Sequence, residues 1–409
     1  MNPRVRRAIV ALALALVPAA VLAQDATLPP PATIDGLPVG PFYLLPFFGL
    51  SVTEESNPFY QADPQSDVVA RANPALGVTL PFGHSYFQFL GDATFRRYAR
   101  TNATNTTSTD MSAELSLKFS SFDRMVLRVD RTDGASELLL FDGGETTYDG
   151  TPFRLVAYTV GAERRVPGHL GYQVVATESR LTFDETDVDF FEFDGYDITV
   201  DANVPISSSR WIVTGLRQRR YDHFKADDPT HSVYRQEEAD AIRLGLIGLL
   251  PSNGSYRVVL AYDRQRYPGG AGSGFTGVVG DVVFDWSIGP STTMTVGAGR
   301  RPWSSFYGDN NYYMTDLVHA TARHAFVGGS EVDAHLETGR SIYPDPFSIA
   351  DGGERRHDRF LQGGASILIL PRRRYGIRIG YDANLRRSNL DGADYTTQSL
   401  GVQFVVGWR

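Results

Sequence analysis

From Phe42 to the last residue the chain is written in runs of about ten to fourteen residues whose apolar and polar positions alternate. Phe87, Phe89, Gly91, Ala93 and Phe95 stand against Gln88, Asp92, Thr94 and Arg96. Ile377, Ile379, Tyr381 and Ala383 stand against Arg378, Asp382 and Asn384. Met294, Val296 and Ala298 stand against Thr293, Thr295, Gly297 and Gly299. A period of two is that of a β-strand, whose successive side chains point to opposite faces. A polar second face is one that meets water. Eighteen such runs are found, the first at Phe42–Val52 and the last at Tyr395–Trp408.

The connections sort into two kinds. Every second one is short and rich in turn formers: Pro81-Phe82-Gly83, Ser120 to Asp123, Val166-Pro167-Gly168, Ile206 to Ser209, Pro251 to Gly254, Gly289-Pro290-Ser291, Val327-Gly328-Gly329 and Pro371 to Arg374. The others are mostly longer and polar, the longest near Asp133–Pro152, Asp222–Arg235 and Pro344–His357. A soluble antiparallel sandwich shares the alternation but has no reason to sort its connections this way. The pattern predicts an all-β fold, a transmembrane antiparallel β-barrel of about 18 strands (16–18), with short periplasmic turns and longer extracellular loops. Both termini then lie on the periplasmic side.

The closing run alternates almost to the end. Val402, Phe404, Val406 and Trp408 share one face, and Gly401, Gln403, Val405 and Gly407 the other. A terminal strand of a membrane barrel must pair with the first strand, because an open edge in hydrocarbon leaves backbone groups unsatisfied. Ser399 to Val406 also resembles the polar-x-Gly-x-x-apolar-x-apolar signal read by the barrel-assembly machinery, carried here by Gly401, Phe404, Val406 and Trp408. Arg409 follows Trp408, a departure from the usual aromatic end.

The start of the chain fits export. Arg4, Arg6 and Arg7 precede an apolar run, Ile9 to Val17, and Val21-Leu22-Ala23 precedes Gln24. This reads as a signal peptide over 1–23, cut before Gln24. Residues 24–41 form a Pro-rich periplasmic tail, and 42–409 the barrel. Cysteine is absent, which removes a disulfide framework, a lipoprotein anchor and thiolate metal sites. Loss of the three leader arginines takes the formal charge from −8 to −11, against nucleic acid as a partner. The 20 Tyr and 24 Phe suit interfacial girdles, and the 40 Gly suit strands that curve and pack closely.

The polar faces carry the candidate chemistry. Arg128, Arg217, Arg219, Arg243, Arg257, Asp281, Asp285, Arg323, Glu337, Arg378 and Asp382 are expected to line the lumen, together with Asp130, Asp263 and His335. Two readings stay open. The mixture of Arg with Asp, Glu and Tyr suits the passage of polar, hydrogen-bonding solutes, and Arg forks with aromatic faces are what a sugar chain would use to slide along a wall, or the charges pair across the lumen and stiffen the wall. The eight His show no ligand spacing, and there is no Gly-x-Ser-x-Gly. No enzyme, cofactor or metal site is therefore expected. The acidic stretch Asp184 to Asp194 reads as a solvated loop, the alternative being a divalent cation bridging to lipopolysaccharide. The Gly-rich run Gly269 to Gly274 lacks the Lys-Ser/Thr of a phosphate loop.

Pro46 to Tyr60, with Glu54-Glu55-Ser56-Asn57, is followed by Ser66-Asp67, by Arg71-Ala72-Asn73-Pro74, and by Asp92 to Tyr98 leading to Asn102. This resembles the outer-membrane β-barrel porins encoded beside exopolysaccharide gene clusters, although Glu54-Glu55 departs from their Asp-Asn form. The motifs cover roughly the first quarter of the chain. The resemblance implies passage of exopolysaccharide across the outer membrane of a Gram-negative bacterium, with periplasmic polysaccharide-export proteins as partners. The alternatives are a general diffusion porin for small polar solutes and a non-conducting barrel whose surface loops bind a partner. Outer-membrane lipid and lipopolysaccharide are expected neighbours in each case.

Overall fold

The computed structural model describes residues 36–58, 64–100, 105–135, 152–184, 192–223, 236–250, 253–268, 273–305, 310–346, 353–372, 375–390 and 393–407. The expected leader, most of the Pro-rich tail, Trp408 and the middle of the acidic stretch lie outside them. A three-residue strand, β1 (Leu37–Val39), precedes eighteen long ones. These are β2 (Phe42–Glu55), β3 (Asp67–Phe82), β4 (Ser85–Tyr98), β5 (Thr107–Lys118), β6 (Asp123–Ala135), β7 (Pro152–Arg164), β8 (Gly171–Phe183), β9 (Phe193–Ser207) and β10 (Arg210–His223). They continue with β11 (Gln236–Leu250), β12 (Gly254–Arg266), β13 (Phe275–Ile288), β14 (Thr292–Ser304), β15 (Tyr312–Ala325), β16 (Glu331–Pro346), β17 (Arg355–Arg372), β18 (Tyr375–Ser388) and β19 (Tyr395–Gly407).

Each strand from β2 onward pairs antiparallel with its neighbours in sequence, and β19 returns to β2 from Ser399↔Glu55 to Gly407↔Phe47. The sheet is closed: an 18-stranded antiparallel β-barrel. Short connections need residues that accept a left-handed backbone. Gly83 (φ 62°) and Gly289 (φ 65°) supply it at two of them, where a Cβ would meet no other atom but would strain the chain.

The last residues of the expected tail do not simply lead in. Leu37–Val39 folds back on β2, pairing Leu37↔Leu44 and Val39↔Phe42. The other edge of that stretch is taken by β3, and β19 stops at Phe47. The seam between first and last strand would therefore leave an open edge at one rim, and the chain covers it with its own N-terminal segment.

Register fixes the two faces. Phe404 opposes Leu50, which opposes Ala72 on β3, and Val402 opposes Val52. On the far side Leu216 opposes Ile242, and Thr214 opposes Leu244. These positions point outward and stay open: Leu216 is 62% exposed, Ile242 64%, Leu244 60% and Leu400 57%. Soluble monomers rarely expose contiguous apolar patches beyond a few hundred Å². A belt around a closed barrel is favourable where hydrocarbon replaces water.

Not all aromatic residues join an outer girdle. At the ends of the strands nearest the long connections, Phe153, Leu155, Leu181, Phe193 and Tyr221 pack as one buried cluster. Trp303, Tyr313 and Tyr343 form another, and Val69 meets Tyr98 in a third. Strand parity places all of these on the inner face. The inner wall thus carries an apolar collar at the long-loop rim.

Candidate functional site: the inner wall

Lateral pairing places all eleven expected lumen residues on the face opposite the exposed apolar belt. Arg217 and Arg219 alternate with the outward Leu216 and Gln218 on β10, and Arg243 with Ile242 and Leu244 on β11. The same parity holds for Arg128 on β6, Arg257 on β12, Asp281 and Asp285 on β13, Arg323 on β15, Glu337 on β16, and Arg378 and Asp382 on β18. The structure does not bring them into one constellation. It distributes them around the wall, and most find their partner one or two strands away.

On β5 and β6, Arg128 grips Asp130 through Nε (2.7 Å) and Nη2 (2.8 Å) and lies 3.8 Å from Glu114. Arg124 sits between Glu114 (3.5 Å) and Glu163 (3.6 Å), and the Tyr86 hydroxyl donates to Glu114 at 2.5 Å. On β9 to β11, Arg217 pairs with Asp197, Arg219 with Glu237, and Arg243 with Asp201 at 3.2 Å. Farther on, Asp281 receives both Arg257 (2.6 Å) and Arg301 (3.3 Å), while Asp285 accepts from Thr295 (2.7 Å). Arg323 reaches Glu331 (2.6 Å), Arg378 lies 3.6 Å from Asp333, and His335 lies 3.5 Å from Asp382.

Two of these pairs use one device. Asp201, Gly215 and Arg243 lie in lateral register on β9, β10 and β11. His335, Gly364 and Asp382 do the same on β16, β17 and β18. In each trio the outer side chains meet over a glycine. A Cβ at Gly215 would fall 2.0 Å from Asp201 Oδ1, and one at Gly364 2.1 Å from Asp382 Oδ1. A side chain at either glycine would push the pair apart.

Arg217, Arg219, Arg243, Asp263, Asp281 and Arg301 line a recess in this wall between β10 and β14. Its charges are fixed in place. Arg219 and Glu237 are 5% and 1% exposed, and Arg219 also lies over the Tyr221 ring, 5.6 Å from its centre. Such an array offers donors and acceptors of both signs, held before any solute arrives. The partners Glu114, Asp197, Asp201 and Glu237 were not singled out from the sequence. The signal that finds them is parity: each lies on the polar face of a run next to an Arg already assigned inward.

Gly401 opposes Thr53 and Gly380, while Phe404 and Val406 oppose Leu50 and Phe48 on the outer face. Of the acidic stretch, Phe193 and Asp194 open β9 rather than lying in a loop, since Phe193 packs into the inner collar. The Glu192 carboxylate accepts the Phe183 N–H at 2.9 Å, closing that end of the hairpin. Among the described residues no group of His, Asp and Glu is placed to hold a metal ion.

No protein-family model and no curated protein matches the sequence. Solved structures do match the barrel. The outer membrane protein OpdK from Pseudomonas aeruginosa aligns over 89% of this chain and 99% of its own, with TM-score 0.51 and 12% identity. OpdO from the same organism aligns over 90% of this chain and 98% of its own, with TM-score 0.50 and 10% identity. At these identities the likeness is one of fold, and the chain has the closed 18-stranded antiparallel β-barrel of outer-membrane porin structures.

Proposed function

We propose that the chain is an outer-membrane pore for small polar solutes, with its long connections outside the cell and its short turns in the periplasm. The observation that carries this reading is the inner wall. Its arginines and carboxylates face a lumen, while the opposite face of the same strands is apolar and open. A closed barrel with that polarity is stable only with hydrocarbon outside and a wet interior. The likeness to porin structures supports the fold on which the reading stands.

The exopolysaccharide reading rests on the motifs of the first strands and on the suitability of Arg forks and aromatic faces for a sugar chain, and draws no support from the structural neighbours. The wall itself favours smaller cargo. Buried pairs such as Arg219–Glu237 and Arg243–Asp201 place side chains on the inner wall, and Phe153, Tyr221, Trp303 and Tyr343 add apolar bulk to it at one rim. Purified protein in planar bilayers is expected to conduct in discrete steps, blocked by small polyethylene glycols entering the pore and indifferent to large ones. Conductance that admits polymers of polysaccharide size would favour the export reading, and a folded barrel that never conducts would favour a surface-binding role.

The wall's charges make a further expectation. Asp281→Asn leaves Arg257 and Arg301 without their shared carboxylate. The anion-to-cation permeability ratio should rise by about twofold or more, read from the reversal potential in a salt gradient. An unchanged ratio would mean that this stretch of wall lies off the ion path.

A further inference from the structure

Outside the barrel, at the margin nearest the long connections, five strands carry one continuous lateral row. Arg300 opposes Asp316, Asp316 opposes Arg340, Arg340 opposes Arg359, and Arg359 opposes Arg387, from β14 to β18. Their parity is that of the apolar belt, so they point away from the lumen. Leu336, Leu361 and Leu385 lie on the same face toward the barrel's middle. With strands about 4.8 Å apart, the row spans roughly 19 Å.

The charge along it is unbalanced. Asp316 is shared by Arg300 (3.1 Å) and Arg340 (2.9 Å), and Arg387 reaches Asp394 (3.1 Å). Arg359 is exposed, and no carboxylate among the described residues pairs with it. Like charges directly opposite on neighbouring strands repel, and here two such juxtapositions are consecutive: Arg340 with Arg359, and Arg359 with Arg387. Two other charge clusters on the same margin are matched. Asp133 is shared by Arg131 and Arg154, and Arg220 and Arg266 are interleaved with Asp222, Glu238 and Asp240.

We propose that the Arg340–Arg359–Arg387 row binds a phosphorylated lipid headgroup of the surrounding leaflet. The inference rests on the outer-membrane reading but not on pore activity. Position selects a lipid over a soluble anion. Arg359 and Arg387 stand directly above Leu361 and Leu385 on the outer face, and Arg340 stands above Thr338 and then Leu336, so a headgroup would hold its phosphate at the arginines while its chains lie along these leucines. Guanidinium forks match phosphate oxygens in geometry and charge, and a phosphate would relieve both repulsions at once.

The test uses the full chain folded in detergent micelles, with bis-phosphorylated lipid A and its enzymatically dephosphorylated form as probes in native mass spectrometry. Wild type should retain the phosphorylated form about tenfold better than the dephosphorylated one. The triple variant Arg340→Gln/Arg359→Gln/Arg387→Gln should lose that preference, and Arg359→Gln alone should weaken it, serving as the second variant if the triple does not fold. Folding is checked by migration before and after boiling. Equal retention of both lipids by wild type would overturn the proposal, as would undiminished preference in the variants. Full displacement by excess inorganic phosphate would overturn it in favour of a soluble-anion site. Bilayer conductance should not change in the variants, because the row faces away from the lumen. A wild-type protein that binds the lipid yet fails to conduct would therefore count against the pore alone.

Discussion

Arg219→Ala is expected to destabilise the barrel by about 3–5 kcal/mol, because it leaves Glu237 charged and enclosed without its partner. Both side chains are almost fully buried in the inner wall, and Ser304 bonds the same carboxylate. The loss also removes the guanidinium from the Tyr221 ring. The measurement is urea-induced unfolding in lipid vesicles, followed by tryptophan fluorescence. The double variant Arg219→Met/Glu237→Met is expected to regain most of the loss, since replacing a buried pair by apolar side chains of similar size is often near neutral. A single variant within about 1 kcal/mol of wild type would place this pair among the weakly contributing solvated ones.

The second large effect lies on the closing strand. Val402→Arg should cost about 2–4 kcal/mol, the cost of a charge on the lipid face at bilayer mid-depth, while Gln403→Arg should cost clearly less, adding only a wet-face repulsion with the opposing Arg378. The two positions are neighbours in sequence and opposites in space. Val402 opposes Val52 and Ile379 on the outer face, whereas Gln403 opposes Ser51 and Arg378 inside. Reversible unfolding in vesicles reads the difference. Equal costs at the two sites would mean that the faces are not lipid and water.

Much of the fold is legible in the sequence because the period of two is a direct consequence of strand geometry. The first run, Phe42–Val52, begins where β2 begins, and the last, Tyr395–Trp408, begins where β19 begins. The short connections were marked by residues the backbone requires there, such as Gly83 and Gly289. Inward parity of Arg217, Arg243 and Asp382 follows from the same alternation. Other features depend on register between strands, which a single strand does not encode. Asp201 meets Arg243 only because Gly215 stands between them, and the row from Arg300 to Arg387 exists only once five strands are aligned. β1 was hidden by its composition, since Pro38 in a Pro-rich stretch reads as irregular chain. It is tolerated because β1 is an edge strand that pairs on one side. The inner collar was missed for another reason: Tyr313 and Tyr343 have the character of girdle residues, and alternation alone does not say which face is inside.

In an outer-membrane barrel one face of every strand meets hydrocarbon and the other meets water. Because the natural chain contains no cysteine, single cysteines introduced along β19 report on that directly. The protein is reconstituted in liposomes and each thiol is labelled with a water-soluble, membrane-impermeant maleimide or with a fluorophore quenched from the acyl-chain phase. Ser399→Cys, Gly401→Cys and Gln403→Cys should react with the aqueous reagent, whereas labels at Leu400→Cys, Val402→Cys and Phe404→Cys should be quenched by brominated lipid. Aqueous labelling at all six positions, with no quenching at any, would contradict the account.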